Sequence, residues 1–335
     1  MLYDGRDDAE RPSASGARRI APARRYRCAG DAGARTAGPG GGRVIAVDTA
    51  PAPPVSRLAS PLPLGACDAH SHIFGPFEGH PPQRPSVYAL PDALPEVHAA
   101  ARTALGVTRG CLTQPAPYGD DPSAMLAAIA ESGGVLKGVA VADADIGEEA
   151  LADWCSRGIV GLRFTEMRAP SGDRYPGSVG FAAIEALAPA MRRLGLHAQL
   201  WGSARDHAEW LPRLLPLGLP LILDHMGVPD TAAGVDHPHF AAILDALQTG
   251  QIWVKLVLAR VSRAAPDYLD AKPFHDAYVA AAPDRLVWGS DWPYVRMDPA
   301  PDAAHMLRTF LDWAPEEATR NAILVANPAA LYGFE

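Results

Sequence analysis

Three histidines and one aspartate, far apart in the sequence, are of residue types that could do chemistry together. His70 and His72 stand two positions apart in DAHSHIF, His225 lies in LILDHM, and Asp291 lies in WGSDWP. Residues two apart on an extended strand face the same side, so the first two imidazoles can converge on one point. Imidazole and carboxylate groups serve as general acids and bases and are suitable zinc ligands. The Asp291 carboxylate, set between tryptophans, is costly to desolvate unless it has a partner or a function.

The elements that must position these residues form a regular alternation. Short apolar runs alternate with stretches of helical period, which predicts βα units and a parallel sheet. Eight strands are predicted, at 67–74, 110–116, 136–143, 159–166, 197–202, 221–226, 251–257 and 285–291. Eight helices are predicted, at 92–105, 122–132, 147–157, 181–194, 206–215, 238–248, 266–281 and 302–313. Eight repeats predict an α/β fold, a (β/α)8 TIM barrel of about 250 residues. The rival, an open doubly wound sheet, normally has a glycine-rich turn after its first strand, which this chain lacks.

In a barrel of this kind, catalytic residues come from the carboxyl ends of the strands. The three histidines and Asp291 all fall at such ends. Other polar residues at predicted strand ends are Arg163, Glu166, Asp224, Lys255 and Arg260. A His-x-His pattern alone would be weak evidence, because buried histidines often only satisfy a hydrogen bond. Its combination with strand-end residues of the sixth and eighth repeats favours one shared active site.

Composition bounds the remaining possibilities. The 335 residues are 48% hydrophobic with a net charge of −8, and no basic stripe or long apolar run favours nucleic-acid binding or a membrane span. Residues 1–66 hold ten arginines, six acidic residues and Pro- and Gly-rich stretches, which predicts a poorly ordered arm before a barrel at 67–335. No apolar segment follows the arginine pairs of this arm, so we expect a cytoplasmic protein. The four cysteines lack metal-site spacing and fit reduced thiols.

The motifs of the barrel region resemble a known family. DAHSHIFGP, GLRF, LDHMG, IWVKL, LVWGSDWP and the terminal NPAALYGF are similar, in matching order, to the amidohydrolase superfamily. The resemblance is strongest to its branch of 2-pyrone-4,6-dicarboxylate lactonase and sugar-lactone hydrolases. It implies the barrel fold and a hydrolase that opens a small carboxylated or sugar-derived lactone. It is less specific for the substrate than for the family.

The resemblance also implies roles for the four residues. Asp291 would take a proton from water, and His70, His72 and His225 would polarise the lactone carbonyl. The residue types agree with this, because ester hydrolysis needs a base for water and donors for the developing oxyanion. Ser290 is a rival nucleophile, but it lies in no G-x-S-x-G elbow.

Substrate anchors follow from the same likeness. The family's carboxylate-binding residues match Arg163, Arg260 and Tyr88, while Arg163 could instead form an ion pair within the barrel and Arg260 could be a solvated loop charge. Tyr118 and Trp201 are candidates to line the pocket or only to pack.

Two departures from the family pattern bear on the substrate. Val228 and Ala169 stand where the family lactonase has arginines, with Arg168 a partial substitute. These departures favour a substrate with one anionic group or hydroxyls over a pyrone dicarboxylate.

A metal and other activities remain open. Many amidohydrolases bind divalent ions, and His70, His72 and Asp291, with Glu166 as a further candidate, could hold one zinc or manganese ion. We expect His197 to point to the barrel floor, so the cofactor is either absent or a single ion. Alternative functions are a lactone isomerase, a metal-dependent decarboxylase of the same superfamily and a non-catalytic binding barrel. The expected partner is a small lactone or carboxylate, and a homo-oligomer is compatible with the sequence.

Overall fold

Parallel strands separated by helices make up the body of the protein. The computed structural model describes residues 47–335. The strands are β1 Thr49–Pro51, β2 Cys67–Ser71, β3 Leu90–Asp92, β4 Arg109–Thr113, β5 Leu136–Ala140, β6 Ile159–Thr165, β7 His197–Trp201, β8 Leu221–Leu223, β9 Ile252–Leu256 and β10 Leu286–Trp288. The helices are α1 Pro95–Leu105, α2 Ser123–Glu131, α3 Glu148–Ser156, α4 Ala183–Leu194, α5 Ala204–Leu214, α6 Pro238–Leu247, α7 Lys272–Ala281, α8 Ala303–Trp313, α9 Glu317–Asn321 and α10 Asn327–Tyr332.

Eight of these strands form the predicted (β/α)8 TIM barrel. The hydrogen-bonded order is β10, β9, β8, β7, β6, β5, β4 and β2, and every pairing in the sheet is parallel. All eight strands and all eight helices fall on their predicted runs. The largest shift at a helix start is in α7, which begins at Lys272 rather than at 266. A proline lies in the first turn of this helix, where its missing N–H would have no partner within the helix. Helices α9 and α10, near the carboxyl terminus, were not predicted.

The barrel closes beside the chemistry-bearing residues. The segment after β10 bridges to β2, where the Asp291 amide donates to the His70 carbonyl at 2.8 Å and the His72 amide donates to the Trp292 carbonyl at 2.9 Å. Gly289 allows this approach, because a Cβ there would lie 2.6 Å from the Cβ of His70. The closure therefore fixes the first and last catalytic segments to each other through the backbone.

Inside the barrel, apolar residues lie toward one end of the strands and polar residues toward the other. A buried apolar cluster takes residues from six barrel strands and from the C-terminal segment: Cys67, Ala69, Cys111, Val139, Ile222, Trp253, Val287, Tyr332 and Phe334. Two positions further along the same strands stand Thr113, Asp224 and Lys255, all buried. Side chains two apart share a face of a strand, so the polar layer lies directly above the apolar layer.

Part of the predicted arm is packed against the rest of the protein. Residues 1–46 of the arm lie outside the described residues, but β1 pairs with β3, and Leu58 is buried in the core. The Trp292 indole N–H donates to the Pro53 carbonyl at 2.9 Å. Sequence reasoning missed this packing because the proline-rich stretch has no helical or strand period. The stretch supplies a partner strand for β3 and an acceptor for the Trp292 indole N–H. No helix in residues 47–335 is long and apolar enough to cross a membrane.

Candidate active site

One carboxylate oxygen lies at the centre of the three predicted histidines. The Oδ1 atom of Asp291 is 3.5 Å from Nε2 of His70, 3.4 Å from Nε2 of His72 and 3.4 Å from Nε2 of His225. All four side chains are buried. The structure thus brings together four residues separated by up to 221 positions, at the carboxyl ends of β2, β8 and β10.

Tight turns, and not regular strand, present two of these residues. Strand β8 ends at Leu223, short of the predicted 226, and the chain turns through His225 and Met226 at φ of 50° and 55°. Asp291 has φ 62°, again in the left-handed region that non-glycine residues rarely adopt. Such backbone conformations cost about 1–3 kcal/mol each and persist where the surroundings impose them, which is typical of functional sites.

Hydrogen bonds fix the protonation of two histidines. The Nδ1 atom of His72 lies 2.7 Å from the Thr113 carbonyl, to which it must donate, so the neutral ring presents a bare Nε2 toward Asp291. The Nδ1 atom of His225 is buried with no hydrogen-bond partner. The proton of His225 therefore belongs on Nε2, where it is donated to Asp291.

A buried lysine and a buried carboxylate both lie against Nδ1 of His70. Lys255 is fully buried, and its Nζ donates to Gln199 Oε1 at 2.6 Å and to His70 Nδ1 at 3.2 Å. Asp224 Oδ1 lies 3.1 Å from the same Nδ1. With Nδ1 accepting from the Lys255 ammonium, the neutral ring carries its proton on Nε2, which faces Asp291 Oδ1 at 3.5 Å.

Charge holds Asp291 ionised despite its burial. Burial alone would raise the pKa of this carboxyl, but Arg260, whose Nε lies 2.6 Å from Oδ2, and the neighbouring histidines hold the pKa well below its usual range. Burial lowers the pKa values of His70 and His72, which favours neutral imidazoles. The site therefore pairs an ionised carboxylate with neutral rings at neutral pH.

The cluster opens into a cavity of about 470 Å³. Its wall includes His72, His225 and Asp291 together with Tyr88, Arg163, Trp201 and Arg260. The Arg163 guanidinium lies 5.0 Å from the Trp201 ring centroid, and its buried Nε has no hydrogen-bond partner. A concave site with a few converging polar groups is the usual form of a small-molecule site.

The comparison with known families agrees with the geometry. The family model for amidohydrolases matches residues 67–334. The chain belongs to the amidohydrolase family.

Three relatives of this amidohydrolase are named by activity. A 4-sulfomuconolactone hydrolase from Hydrogenophaga intermedia is 31% identical over 283 residues, covering 83% of this chain and 92% of the relative. A 2-pyrone-4,6-dicarboxylate hydrolase from Comamonas testosteroni is 32% identical, covering 81% and 91%. A D-galactarolactone isomerase from Agrobacterium fabrum is 30% identical, covering 81% and 92%. All three names concern lactones.

A solved structure from Agrobacterium tumefaciens, crystallised in the apo state, has a similar fold. It superposes with a TM-score of 0.72 at 29% sequence identity, covering 82% of this chain and 98% of the other. The likeness extends over the whole barrel of this amidohydrolase.

Two predicted substrate contacts, Tyr118 and Arg168, and one candidate metal ligand, Glu166, lie off the cavity wall. Tyr118 is buried and accepts a hydrogen bond from the Gly75 amide at 2.7 Å. Arg168 is half exposed and pairs with Glu166 at 3.6 Å. Glu166 also accepts from Arg174 at 3.1 Å and from the Phe181 amide at 2.9 Å, so its carboxylate is committed to the loop after β6.

Other predictions concern residues near the barrel wall and floor. His197 is buried against Tyr332, with ring centroids 5.7 Å apart, so the prediction that it points to the floor is confirmed. The Ser290 hydroxyl donates to Asp68 at 2.5 Å, and burial raises the pKa of Asp68 to about 6. Since Asp68 also accepts from the Ser290 and His70 amides, this serine serves barrel closure and is not poised as a nucleophile.

Two polar cavity residues were missed from the sequence. Tyr175 and Arg296 line the cavity from loops after β6 and β10. Loops have no periodic pattern that marks the inward positions. The available signal for Arg296 was its place five residues after Asp291, in the same strand-end loop.

The donor set could accommodate a metal ion. His70, His225 and Asp291 offer ligand atoms that all lie within 4.8 Å of one another. Imidazole and carboxylate suit zinc chemically. A metal on Nε2 of His70 would need the ring proton on Nδ1, where Asp224 Oδ1 at 3.1 Å could accept it, whereas a hydrogen bond from Lys255 to Nδ1 leaves the proton on Nε2.

Proposed function

We propose that this amidohydrolase hydrolyses a small anionic lactone, with Asp291 as the base for water. The observation that carries the proposal is the convergence of three imidazole Nε2 atoms on Asp291 Oδ1, at 3.4 to 3.5 Å, on the wall of a cavity lined by arginines. The lactone names of the relatives support the substrate class.

Two acceptors suit the attacking water. The bare Nε2 of His72 and the Oδ1 of Asp291 lie 3.4 Å apart, so one water molecule can donate a hydrogen to each. This orients a lone pair of the water oxygen toward a bound substrate. Asp291 accepts the proton as the water oxygen attacks, and His72 holds the second hydrogen.

Proton donors suit the lactone carbonyl. His70 presents an Nε2–H that Lys255 fixes from below, and a hydrogen bond from it would stabilise the charge that develops on the carbonyl oxygen. The bond between the acyl carbon and the ring oxygen then breaks, and the proton on Asp291 passes to the departing oxygen. One lactone and one water give one carboxylic acid, which ionises, and one hydroxyl group.

Positive charge at the cavity supports an anionic substrate. Arg163, Arg260 and Arg296 line it, whereas Asp291 is the one acidic side chain on that wall among the described residues. Bidentate guanidinium contacts match carboxylate and sulfonate oxygens well. An anionic group held there would set the ring against the histidine cluster.

A metal would be held by His70, His225 and Asp291, and it would supply Lewis-acid polarisation of the carbonyl. We infer that the reaction proceeds without one, since the Lys255 hydrogen bond places a proton on His70 Nε2. Dialysis against a chelator should leave kcat unchanged. Loss of activity that added zinc or manganese restores would contradict this inference.

Mass spectrometry after incubation with a lactone panel tests the proposal. Each turned-over lactone should gain the mass of one water molecule, and Asp291→Asn should prevent the gain. The isomerase relative makes lactone isomerisation the second candidate, in which the product keeps the mass of the substrate. A product of unchanged mass would favour the isomerase and overturn the hydrolase.

A further inference from the structure

An arginine that the sequence analysis did not name stands at the mouth of the cavity. Arg296 lines the cavity together with the more deeply placed Arg163 and Arg260. Its guanidinium donates a hydrogen bond to the Tyr175 hydroxyl and lies 5.6 Å from the centroid of that ring. Its side chain is otherwise exposed.

The charge of Arg296 is not balanced by a neighbouring acid. Arg260 is engaged by Asp291 at 2.6 Å, and Arg163 lies 3.7 Å from Asp224. Within residues 47–335, Arg296 takes part in no ion pair with a carboxylate. Its charge is therefore free to meet an anion that enters the cavity.

An aromatic wall separates this charge from the deeper one. The Tyr175 ring stacks on Trp201 with centroids 5.5 Å apart and planes at 27°, and Arg163 lies over the same Trp201 ring. Arg296 therefore stands at the Tyr175 end of the wall and Arg163 at the Trp201 end. Each guanidinium therefore contacts a different ring of the Tyr175–Trp201 stack.

The loop after β10 holds Arg296 in an uncommon backbone conformation. Its φ is 66°, and Tyr294 in the same loop has φ 58°. Non-glycine residues adopt this region at a cost, so the loop is held there by its surroundings.

All three cavity arginines also act on one group: burial raises the pKa of the Tyr88 phenol, and Arg163, Arg260 and Arg296 each oppose that rise.

We propose that Arg296, positioned by Tyr175, is a specificity residue that binds a second anionic group and selects doubly anionic lactones over singly anionic ones. This rests on the proposed function for its substrate class. It differs from the expectation of a substrate with one anionic group or hydroxyls, because Arg296 adds a cation to a cavity in which Val228 and Ala169 replace family arginines.

Binding of planar, non-hydrolysable analogues tests the assignment apart from turnover. Calorimetry would measure Kd for pyridine-2,4-dicarboxylate, pyridine-2-carboxylate and pyridine-4-carboxylate with wild type, Arg296→Gln and Arg296→Lys. Arg213→Gln is the matched control, since Arg213 is also exposed and lies 4.4 Å from the centroid of an aromatic ring, that of Trp210, outside the cavity.

We expect wild type to bind the diacid more tightly than either monoacid. Arg296→Gln should weaken the diacid about tenfold, the effect of one charge-assisted hydrogen bond partly screened by solvent, and should leave the Kd of one monoacid unchanged. Arg296→Lys should recover most of the loss, and Arg213→Gln should match wild type.

Equal weakening of all three ligands by Arg296→Gln, or no weakening, would overturn the assignment. So would a wild type that binds the diacid no better than the monoacids. If binding follows the expected pattern while no lactone gains water, the proposed function fails and the anion subsite stands.

Discussion

The floor and the mouth of the cavity are built in opposite ways. The floor is the buried polar layer beneath the cavity. Its side chains are fully buried and joined at 2.6 to 3.5 Å: Lys255, Asp224, Gln199 and His70. At the mouth, Arg296 is exposed. Buried charges lose several kcal/mol of solvation and hold fixed positions only through their partners, whereas exposed charges contribute about 0–1 kcal/mol per ion pair.

The difference assigns separate tasks to the two regions. Register along the strands of the closed barrel fixes the floor, so it can hold the proton of His70 at a defined atom and keep Asp291 ionised. Loops form the mouth, so its charged residues can differ between relatives without moving the catalytic residues. Substitutions at the floor should therefore change kcat, and substitutions at the mouth should change substrate affinity and selectivity.

The largest effect is expected for Asp291→Asn. The amide keeps the shape of the carboxylate but cannot accept the proton of water, so kcat should fall about a thousandfold. Arg260 loses its carboxylate partner, so the Kd of pyridine-2,4-dicarboxylate should stay the same or fall. Steady-state kinetics and calorimetry measure the two quantities. Wild-type kcat in this variant would remove Asp291 from the chemistry.

Lys255→Met should lower kcat about a hundredfold, because the His70 proton is then free to move from Nε2 to Nδ1 and the carbonyl loses its donor. Nitrogen chemical shifts of the His70 ring should report the altered tautomer. Arg163 still lies 3.7 Å from Asp224, which limits the loss of folding stability, and thermal unfolding checks this.

Lys137→Met is the control for that variant, since Lys137 also lies on a barrel strand but is not fully buried. It should keep the kcat of wild type. An unchanged His70 tautomer in Lys255→Met, or an equal fall in kcat in the control, would contradict the positioning role of Lys255.

The smallest effect is expected for Arg168→Gln, in the loop after β6 and off the cavity wall. Arg168 is half exposed and faces Glu166, so its removal should raise the Kd of pyridine-2,4-dicarboxylate by no more than about twofold. Calorimetry on Arg168→Gln and Arg296→Gln side by side compares the two arginines. A larger loss of affinity in Arg168→Gln than in Arg296→Gln would support Arg168 as the substrate-binding residue expected from the sequence and contradict the role proposed for Arg296.

The floor could be predicted from the sequence to a large degree. Buried parallel strands are near-continuous apolar runs, so the eight strands were visible, and polar residues at their ends marked His70, His225 and Asp291. The pattern could not give the pairing of Lys255 with His70, because that contact spans 185 positions and depends on barrel closure.

The mouth could not be predicted in the same way. Tyr175 and Arg296 lie in irregular loops, where neither period nor flanking turn residues mark which side chains face inward. Arg168 and Tyr118 were named from sequence position, but a loop ion pair with Glu166 and a backbone contact to Gly75 occupy them. The packed stretch at 47–66 was missed because its proline-rich composition is typical of both extended packing and disorder.

Oxygen-isotope labelling tests most directly whether water attacks the acyl carbon under the control of Asp291. A single turnover of a hydrolysed lactone in water enriched in oxygen-18 should place one label in the new carboxylate of the product and none in the new hydroxyl. Label in the hydroxyl, or a product without label, would contradict the account.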